Sequence, residues 1–375
     1  MKYRTLINNA KHLGHKVFGV ATGHYSRELV SRAFQDLGVQ YFRGPESGLQ
    51  SWLDRVRPDA FFGEQFWTCK YEAEIKKWAD RNGAKRFEAY HGGYYKHSVP
   101  YYSRLDPRDT ILMVNAAVAA EAGKQTKARR IVVGVPELDA LATPYDTREI
   151  RERLGVSGSR PLVAVFLHSI SRMDTSEVTS RQLGPEPVLM SKLMDAANRH
   201  GWKVVAHPHP NFRGERINRI RFPAQRAYFL AMQDRGAQFV TPDHPGVVDG
   251  LRLKKCRQDE LLAAADAVSG SSISESPPAY AAGKKYFYCY DKIQFGARPD
   301  GHAAWDIFVN MPNTRFIGKD FSNLVEAVEH GDTMCERDDE VVRRVFFKLD
   351  GKCWKRLLYC ATGQPLGPQE SFLVM

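Results

Sequence analysis

Residues 266–276 read DAVSGSSISES, and this stretch joins a strand pattern directly to the start of a helix. Residues 267–269 are predicted to form a strand that ends at glycine and serine. A helix is predicted to begin near Glu275, because the Pro277-Pro278 pair suits a first helical turn. The segment is thus one strand-to-helix unit of the kind that builds an α/β protein.

Short β-rich runs alternate with amphipathic helical stretches on both sides of this segment, which is typical of parallel α/β layers. Residues 5–13 are predicted to form a helix that leads into the first strand, or residues 3–7 supply a short strand before it. Strands are predicted at 16–20, 60–63, 86–90, 110–114, 130–134, 162–166, 203–206, 238–241, 267–269 and 285–290. Helices are predicted at 26–37, 71–82, 187–200, 258–264, 338–347 and 351–360, and residues 363–375 as a loose tail.

The chain has 375 residues, which is long for a single core and predicts two α/β domains. A boundary is predicted near residues 142–159, where glycines, prolines and a charged segment precede a new strand. We expect two Rossmann-like domains, 1–145 on the acceptor side and 146–335 for a nucleotide donor, with a ligand cleft between them. Residues 336–375 would add C-terminal helices and a tail.

Composition narrows the classes of function. The net charge of +11 favours an anionic partner such as a nucleotide, a phosphate-rich polymer, a membrane face or nucleic acid. The N-terminus lacks a signal-peptide core, and no run is apolar enough for a membrane helix, so we expect a cytoplasmic enzyme, with peripheral contact at the inner membrane face left open. The six cysteines show no paired spacing and are expected to be reduced. We expect no metal at His207 and His209, since no third ligand lies nearby.

The serine-rich turn is the first candidate site. Backbone N–H groups and hydroxyls at a helix start can hold a phosphate without a metal, although serines here also fit plain helix caps. The residues assigned to donor binding in this turn are Gly270, Ser271, Ser272, Ser274 and Glu275.

Two histidines follow predicted strands. His91 precedes Gly92 and Gly93, whose backbone can approach a ligand closely, and its imidazole could take a proton from an acceptor hydroxyl. His207 precedes Pro208, which favours an extended backbone at the histidine, and its ring could stabilise a phosphate. The alternatives are a turn histidine and a capping histidine.

Arg172 and Asp174 lie just beyond the predicted strand 162–166. The Arg172 guanidinium could bind phosphate in a bidentate way. A surface salt bridge between these two side chains explains them equally well.

In this order, these segments resemble the CDP-glycerol glycerophosphotransferase family, the teichoic-acid polymerases and primases, whose fold is GT-B. The matching segments are His91-Gly92 with Lys96, then Gly134, Pro136 and Asp139, Arg172, His207-Pro208, Ser271-Ser272, and finally Phe347, Asp350, Gly351 and Arg356. The likeness spans residues 85–360. It departs from the family at Gly93-Tyr94, where Thr-Pro is usual, and at residues 275–278, where an acidic-aromatic stretch is usual.

The resemblance implies a GT-B enzyme that moves a glycerophosphate or glycosyl group from a nucleotide-activated donor to an acceptor hydroxyl in cell-surface polymer synthesis. It implies His91 as the general base, His207 as a ligand or proton donor for the donor phosphate, and Ser271 and Ser272 as pyrophosphate ligands. No cofactor or metal is expected, and the acceptor would be an anionic polymer, a lipid-linked molecule or a nucleic acid. Glycosyl transfer to modified DNA and non-catalytic nucleotide binding remain alternatives.

Overall fold

The computed structural model describes residues 17–20, 48–64, 72–89, 106–142, 144–167, 186–209, 220, 223–242, 245–271, 273–289, 310–317, 320–353, 356, 360 and 373–374. The chain divides into two compact units. One consists of Met1–Ala142 with Asp338–Met375, and the other is Thr143–Arg337. The C-terminal segment therefore belongs to the same unit as the N-terminal part of the chain.

The first unit contains a six-stranded sheet in the order β1-β2-β3-β4-β5-β14. Neighbouring strands from β1 to β5 are parallel, and β14 runs antiparallel to β5. The strands are β1 (Val17–Val20), β2 (Ala60–Glu64), β3 (Lys85–Ala89), β4 (Thr110–Met113), β5 (Arg129–Val132) and β14 (Leu373–Val374). The described helices of this unit are α1 (Leu49–Val56), α2 (Glu72–Asn82), α3 (Ala116–Gly123) and α10 (Asp339–Phe346), with a 3-10 helix at Pro136–Ala142.

The second unit contains an eight-stranded sheet in the order β13-β12-β11-β6-β7-β8-β10-β9, and only the β9–β10 pair is antiparallel. The strands are β6 (Leu162–Phe166), β7 (Lys203–His207), β8 (Gln238–Thr241), β9 (Gly246–Val248), β10 (Leu251–Lys255), β11 (Ala267–Gly270), β12 (Tyr286–Tyr288) and β13 (Thr314–Phe316). The described helices are α4 (Thr147–Arg153), α5 (Glu186–Arg199), α6 (Pro223–Asp234), α7 (Gln258–Ala264), α8 (Ser276–Ala281) and α9 (Ser322–Glu329), with a 3-10 turn at Ile273–Glu275.

All ten predicted strands are confirmed to within two residues at each end, as are the predicted helices at 71–82, 187–200, 258–264 and 338–347. The predicted helix 26–37 lies outside the described residues. The loose tail was wrong at its end, because Leu373–Val374 pairs with Ile131 and Val132 at the edge of the first sheet. Two apolar residues are too short a run to reveal a strand in the sequence, and the pairing depends on the edge that β5 offers. No described helix has the length and apolarity that a membrane span requires.

Gly270 lets the central strands of the second sheet approach each other. A Cβ atom at this position would lie 2.1 Å from the carbonyl oxygen of Phe166 on β6. The same oxygen accepts a hydrogen bond from the Ser271 N–H at 2.9 Å. Any side chain at residue 270 would therefore push β11 away from β6 and break the pairing.

Arg356 anchors the C-terminal segment to the first unit. Its side chain is fully buried, and its Nε donates to the carbonyl oxygen of Val133 at 2.7 Å. Its Nη1 donates to both carboxylate oxygens of Asp350, at 2.9 and 3.1 Å. Partial burial raises the pKa of Asp350, but hydrogen bonds and charge from Arg356 outweigh it and hold that pKa below its ordinary value. The pair therefore stabilises the fold at neutral pH, and its contribution falls as Asp350 becomes protonated in acid.

We expect Arg356→Ala to destabilise the first unit by about 3–5 kcal/mol, the usual cost of removing one partner of a buried ion pair. The loss should shrink as the pH falls below about 4, where Asp350 is protonated in the unfolded chain. Urea unfolding followed by hydrogen exchange in the two units measures both effects. Arg343→Ala is the matched control, because Arg343 is exposed on α10 and should change stability by less than about 0.5 kcal/mol. Equal losses in the two variants would contradict the anchoring role.

We expect Gly270→Ala to destabilise the second unit by about 1–3 kcal/mol, since overpacking against rigid backbone displaces a strand. Gly123→Ala is the control: the new methyl group there meets the end of the Arg130 side chain, which can move aside. Thermal unfolding of the two variants distinguishes a backbone collision from a general intolerance of glycine replacement. A Gly270→Ala chain as stable as the parent would contradict the close approach.

Candidate functional site

The second sheet reverses its winding direction between β6 and β11. Strands β6, β7 and β8 follow one another in one direction, whereas β11, β12 and β13 extend in the other. In open parallel sheets, ligands bind at the carboxyl ends of the strands where this reversal occurs. The geometry therefore selects one edge of the second unit as the candidate site.

Four residues form a row across this edge. Strand register places His207 beside Phe166, Phe166 beside Gly270, and Gly270 beside Tyr288. The His207 ring lies 5.5 Å from the Phe166 ring, and the His207 carbonyl accepts a hydrogen bond from Leu167 N at 3.2 Å. His207 and Pro208 are buried, so the backbone around this histidine is held firmly.

The serine turn offers fewer ligand groups than its sequence predicts. The Ser271 side chain is buried and its N–H already donates to Phe166, so the expectation of a free amide at Ser271 was wrong. Gly270 is explained by strand packing alone. Parallel pairing of β11 with β6 uses both residues, which a single-strand reading of the sequence cannot show.

Helix α8 likewise has a poor N-terminus for anions. Its first turn contains Pro277 and Pro278, which lack N–H groups, so half of the usual free donors are missing. Ser274 and the 3-10 turn Ile273–Glu275 are the remaining donors next to the end of β11. Anion binding would therefore depend on this turn rather than on α8.

A buried polar network fixes the start of α8. Asn313 donates from Nδ2 to the carbonyl oxygens of Ser276 and Lys284, at 2.9 and 3.1 Å. The Ser276 hydroxyl donates to Asn313 Oδ1 at 3.2 Å and also contacts the Thr314 hydroxyl. The network joins α8 to the loops before β12 and β13, so the turn at Glu275 is rigidly supported.

Glu275 is the titratable group of this turn. Its side chain is partly buried, and Gln258 on α7 donates from Nε2 to its carboxylate. Burial raises the pKa of Glu275 from 4.5 to about 7. A carboxyl group that changes charge near neutral pH at a ligand-binding edge is typical of a functional position.

Sequence reasoning missed Gln258 and Asn313. Gln258 is 17 residues from Glu275, and Asn313 is 37 residues from Ser276. Neither belongs to a short motif, and only the folded sheet brings them to the serine turn. The short, proline-flanked loop before Asn313 gave no periodic signal.

Seven of the predicted site residues lie outside the described part of the chain: His91, Gly92, Gly93, Lys96, Arg172, Asp174 and Ser272. The described strand β3 ends at Ala89, two residues before His91, and it lies inside the first sheet between β2 and β4. The described strand β6 ends at Phe166, six residues before Arg172. The assignments of these residues remain predictions.

Two of the matched segments meet in the first unit. A Cβ atom on Gly351 would lie 3.0 Å from the Ala142 side chain and 3.4 Å from the Asp139 carbonyl. A Cβ atom on Gly134 would lie 3.4 Å from Arg356 Nη2. These residues hold the C-terminal segment in place, so this part of the pattern reflects packing.

The chain was compared with known proteins. No protein-family profile matches the sequence, and no curated protein matches it either. Among solved structures, it is similar to the wall teichoic acid polymerase TagF, with a TM-score of 0.56, 10% identity, and coverage of 96% of this chain and 92% of that one. It is also similar to UDP-GlcNAc 2-epimerase from Neisseria meningitidis bound to UDP-GlcNAc, with a TM-score of 0.52, 12% identity, and coverage of 93% and 100%.

A third similar structure is a UDP-N-acetylglucosamine 2-epimerase from Listeria monocytogenes, with a TM-score of 0.50, 13% identity, and coverage of 92% and 95%. At such identities the likeness concerns the fold. The matches extend over nearly the whole length of each protein, and the second unit has the strand order of a Rossmann domain. The chain has the GT-B fold.

Proposed function

We propose that this chain is a transferase of the GT-B type that uses a nucleotide-activated donor and an acceptor hydroxyl. The observation that carries the proposal is the winding reversal of the second sheet, with the Ile273–Glu275 turn beyond β11 and His207 at the end of β7. Both neighbours of β6 thus end in polar groups at the edge where nucleotides bind in such sheets.

The transferred group in this proposal is a glycerophosphate or a sugar, and the product belongs to a cell-surface polymer. The ordered residue pattern from His91 to Arg356 supports the CDP-glycerol glycerophosphotransferase family. The fold shared with TagF is compatible with it. The net charge of +11 suits an anionic donor and an acceptor that carries phosphate.

Glu275 is assigned to the nucleoside part of the donor. Its ionised carboxylate would repel phosphate but would accept hydrogen bonds from ribose hydroxyls, as acidic residues do in Rossmann domains. Gln258 holds the carboxyl group in place. Ser274 and the adjacent turn, with His207, are assigned to the donor phosphates.

Arg172, Ser271 and Ser272 are assigned as further phosphate ligands, Ser271 through its hydroxyl only. His91 is assigned as the general base, which removes the proton of the acceptor hydroxyl as that oxygen attacks. For a glycerophosphate donor, the oxygen attacks phosphorus and CMP leaves. For a sugar donor, it attacks the anomeric carbon and the nucleotide leaves. Negative charge grows on phosphate oxygens in both cases, and fixed hydrogen-bond donors stabilise it without a metal.

A thermal-shift screen with CDP-, UDP-, GDP- and CMP-linked donors tests the proposal. A donor that binds only the folded chain raises the unfolding temperature, by an amount that grows with its concentration relative to Kd. We expect one nucleotide class to stabilise the chain more than the others. Equal, negligible shifts with every donor, and no consumption of any donor, would leave non-catalytic binding or no nucleotide function at all.

His91→Ala should lower turnover by about 10²–10⁴-fold, the usual contribution of a general base, and leave donor affinity nearly unchanged. Turnover and donor Kd measured on the same preparations check both statements. His330→Ala is the control, because His330 is exposed at the end of α9 and should leave turnover unchanged. Loss of donor binding in His91→Ala would contradict the assignment.

Donor affinity should depend on the ionisation of Glu275. With a pKa of about 7, roughly one tenth of the carboxyl groups are ionised at pH 6, so binding should be about tenfold weaker there than at pH 8 or above. Glu275→Gln should remove this dependence, because the amide does not titrate. Isothermal titration between pH 5.5 and 8.5 measures it, and the difference between the two proteins cancels titration of the donor phosphates.

The donor-free protein supplies the control for this result. Glu275 binds its proton more tightly when folded, so its presence lowers stability progressively as the pH rises from 4.5 to about 7. Glu275→Gln should therefore gain stability relative to the parent between pH 5 and pH 8. A stability difference that stays constant with pH would show that the carboxyl group titrates normally.

Transfer to modified DNA is the competing acceptor hypothesis, and the excess positive charge is the observation that favours it. Duplex binding should then weaken steeply as salt rises, because counterions are released from each contacted phosphate. The absence of duplex affinity at low salt would remove this alternative and leave the transferase proposal intact.

A further inference from the structure

The first unit contains a cavity of about 550 Å³ that the proposed reaction does not use. Lys85, Thr110 and Arg129, the first residues of β3, β4 and β5, line it. It thus opens at the amino-terminal edge of the first sheet. Donors are expected at carboxyl-terminal edges, so this cavity is a separate feature.

Positive side chains dominate the lining. Lys85, Arg86, Arg108 and Arg129 contribute four cationic groups, and Asp80 is the acidic residue among the described lining residues. Phe87, Ile131, Ala79 and Ala84 supply an apolar surface between them. A cavity of this size and character is within the range that holds a small organic ligand.

Arg86 and Arg108 are already compensated. Arg86 forms ion pairs with Asp109, Asp80 and Asp106, and it is almost fully buried. Arg108 forms ion pairs with Asp80 at 2.6 Å and with Asp106 at 2.7 Å. These two arginines therefore shape the wall of the cavity and contribute little net charge.

Arg129 and Lys85 supply the surplus positive charge. Arg129 is exposed, and within the described part of the chain it forms no hydrogen bond or ion pair with an acidic group. Burial raises the pKa of the Cys360 thiol to about 11, and the charges of Arg129 and Lys85 act in the opposite direction. Both cations therefore lie close enough to Cys360, another lining residue, for their fields to reach its sulfur.

We propose that this cavity is a second binding site, for a small phosphate ester whose phosphate contacts Arg129 and Lys85 and whose organic part lies on the apolar surface of Phe87 and Ile131. Guanidinium groups bind phosphate oxygens in a planar, bidentate way, so Arg129 is the principal phosphate ligand. The site lies within the first unit and does not depend on the nature of the proposed reaction.

Charge-selective labelling of Cys360 tests the proposal. An anionic and a cationic methanethiosulfonate of similar size are reacted with the full chain near pH 8.5, and the rate at Cys360 is read by peptide mass spectrometry. The ratio of anionic to cationic rates reports the potential at the cavity. Coulomb's law in water at about 8 Å gives roughly a fivefold fall in this ratio when one positive charge is removed at low ionic strength.

We expect this fall in Arg129→Gln and no change in Arg148→Gln. Arg148 lies in the second unit with a side chain that is 89% exposed, so this control removes the same charge far from Cys360 along the chain. We further expect phenyl phosphate at about 1 mM, the weak end of specific binding, to slow Cys360 labelling at least twofold in the parent and Arg148→Gln chains, and not in Arg129→Gln. Benzyl alcohol, which lacks the phosphate, should give no protection.

Three results would overturn the proposal. One is an unchanged rate ratio in Arg129→Gln. A second is protection by phenyl phosphate that is equal in Arg129→Gln and in the parent chain. A third is no protection of the parent chain at concentrations up to about 10 mM, beyond the range of specific sites. Thermal unfolding of all three proteins verifies that the comparison is made on folded chains.

Discussion

The contact between Gly270 and the Phe166 carbonyl is the constraint on which the second unit depends. Parallel strands must lie side by side where the sheet reverses its winding, and the absence of a side chain at residue 270 allows this. The same contact decides which groups remain available to a ligand. It occupies the Ser271 amide and moves the potential donors outward to the 3-10 turn and Glu275.

Rigid support of that turn comes from groups far away in the sequence. Asn313 and Thr314 hold Ser276, and Gln258 holds Glu275. A buried amide that satisfies two backbone carbonyls is costly to remove, because each carbonyl would lose its partner. A binding turn built in this way is preorganised, so little conformational entropy is lost when a ligand binds.

The alternation of β-rich and helical runs was enough to predict the sheets, since strands such as Leu162–Phe166 are apolar along their whole length. It was also enough to place His207 and Glu275 at the right edge. It could not reveal the β9–β10 pair or β14, whose short strands depend on neighbours for their hydrogen bonds. It also could not distinguish the packing role of Gly270 and Arg356 from a binding role, because both produce the same residue pattern.

The division of the chain also affects the order in which the protein can be made. Arg356 and the β14 strand belong to the first unit, yet they follow the whole second unit in the sequence. A ribosome that synthesises the chain at ordinary rates releases every residue of the second unit before Arg356 has been added. The second unit can therefore be the first to reach its native state during translation, while the first unit waits with an unfilled position beside Val133.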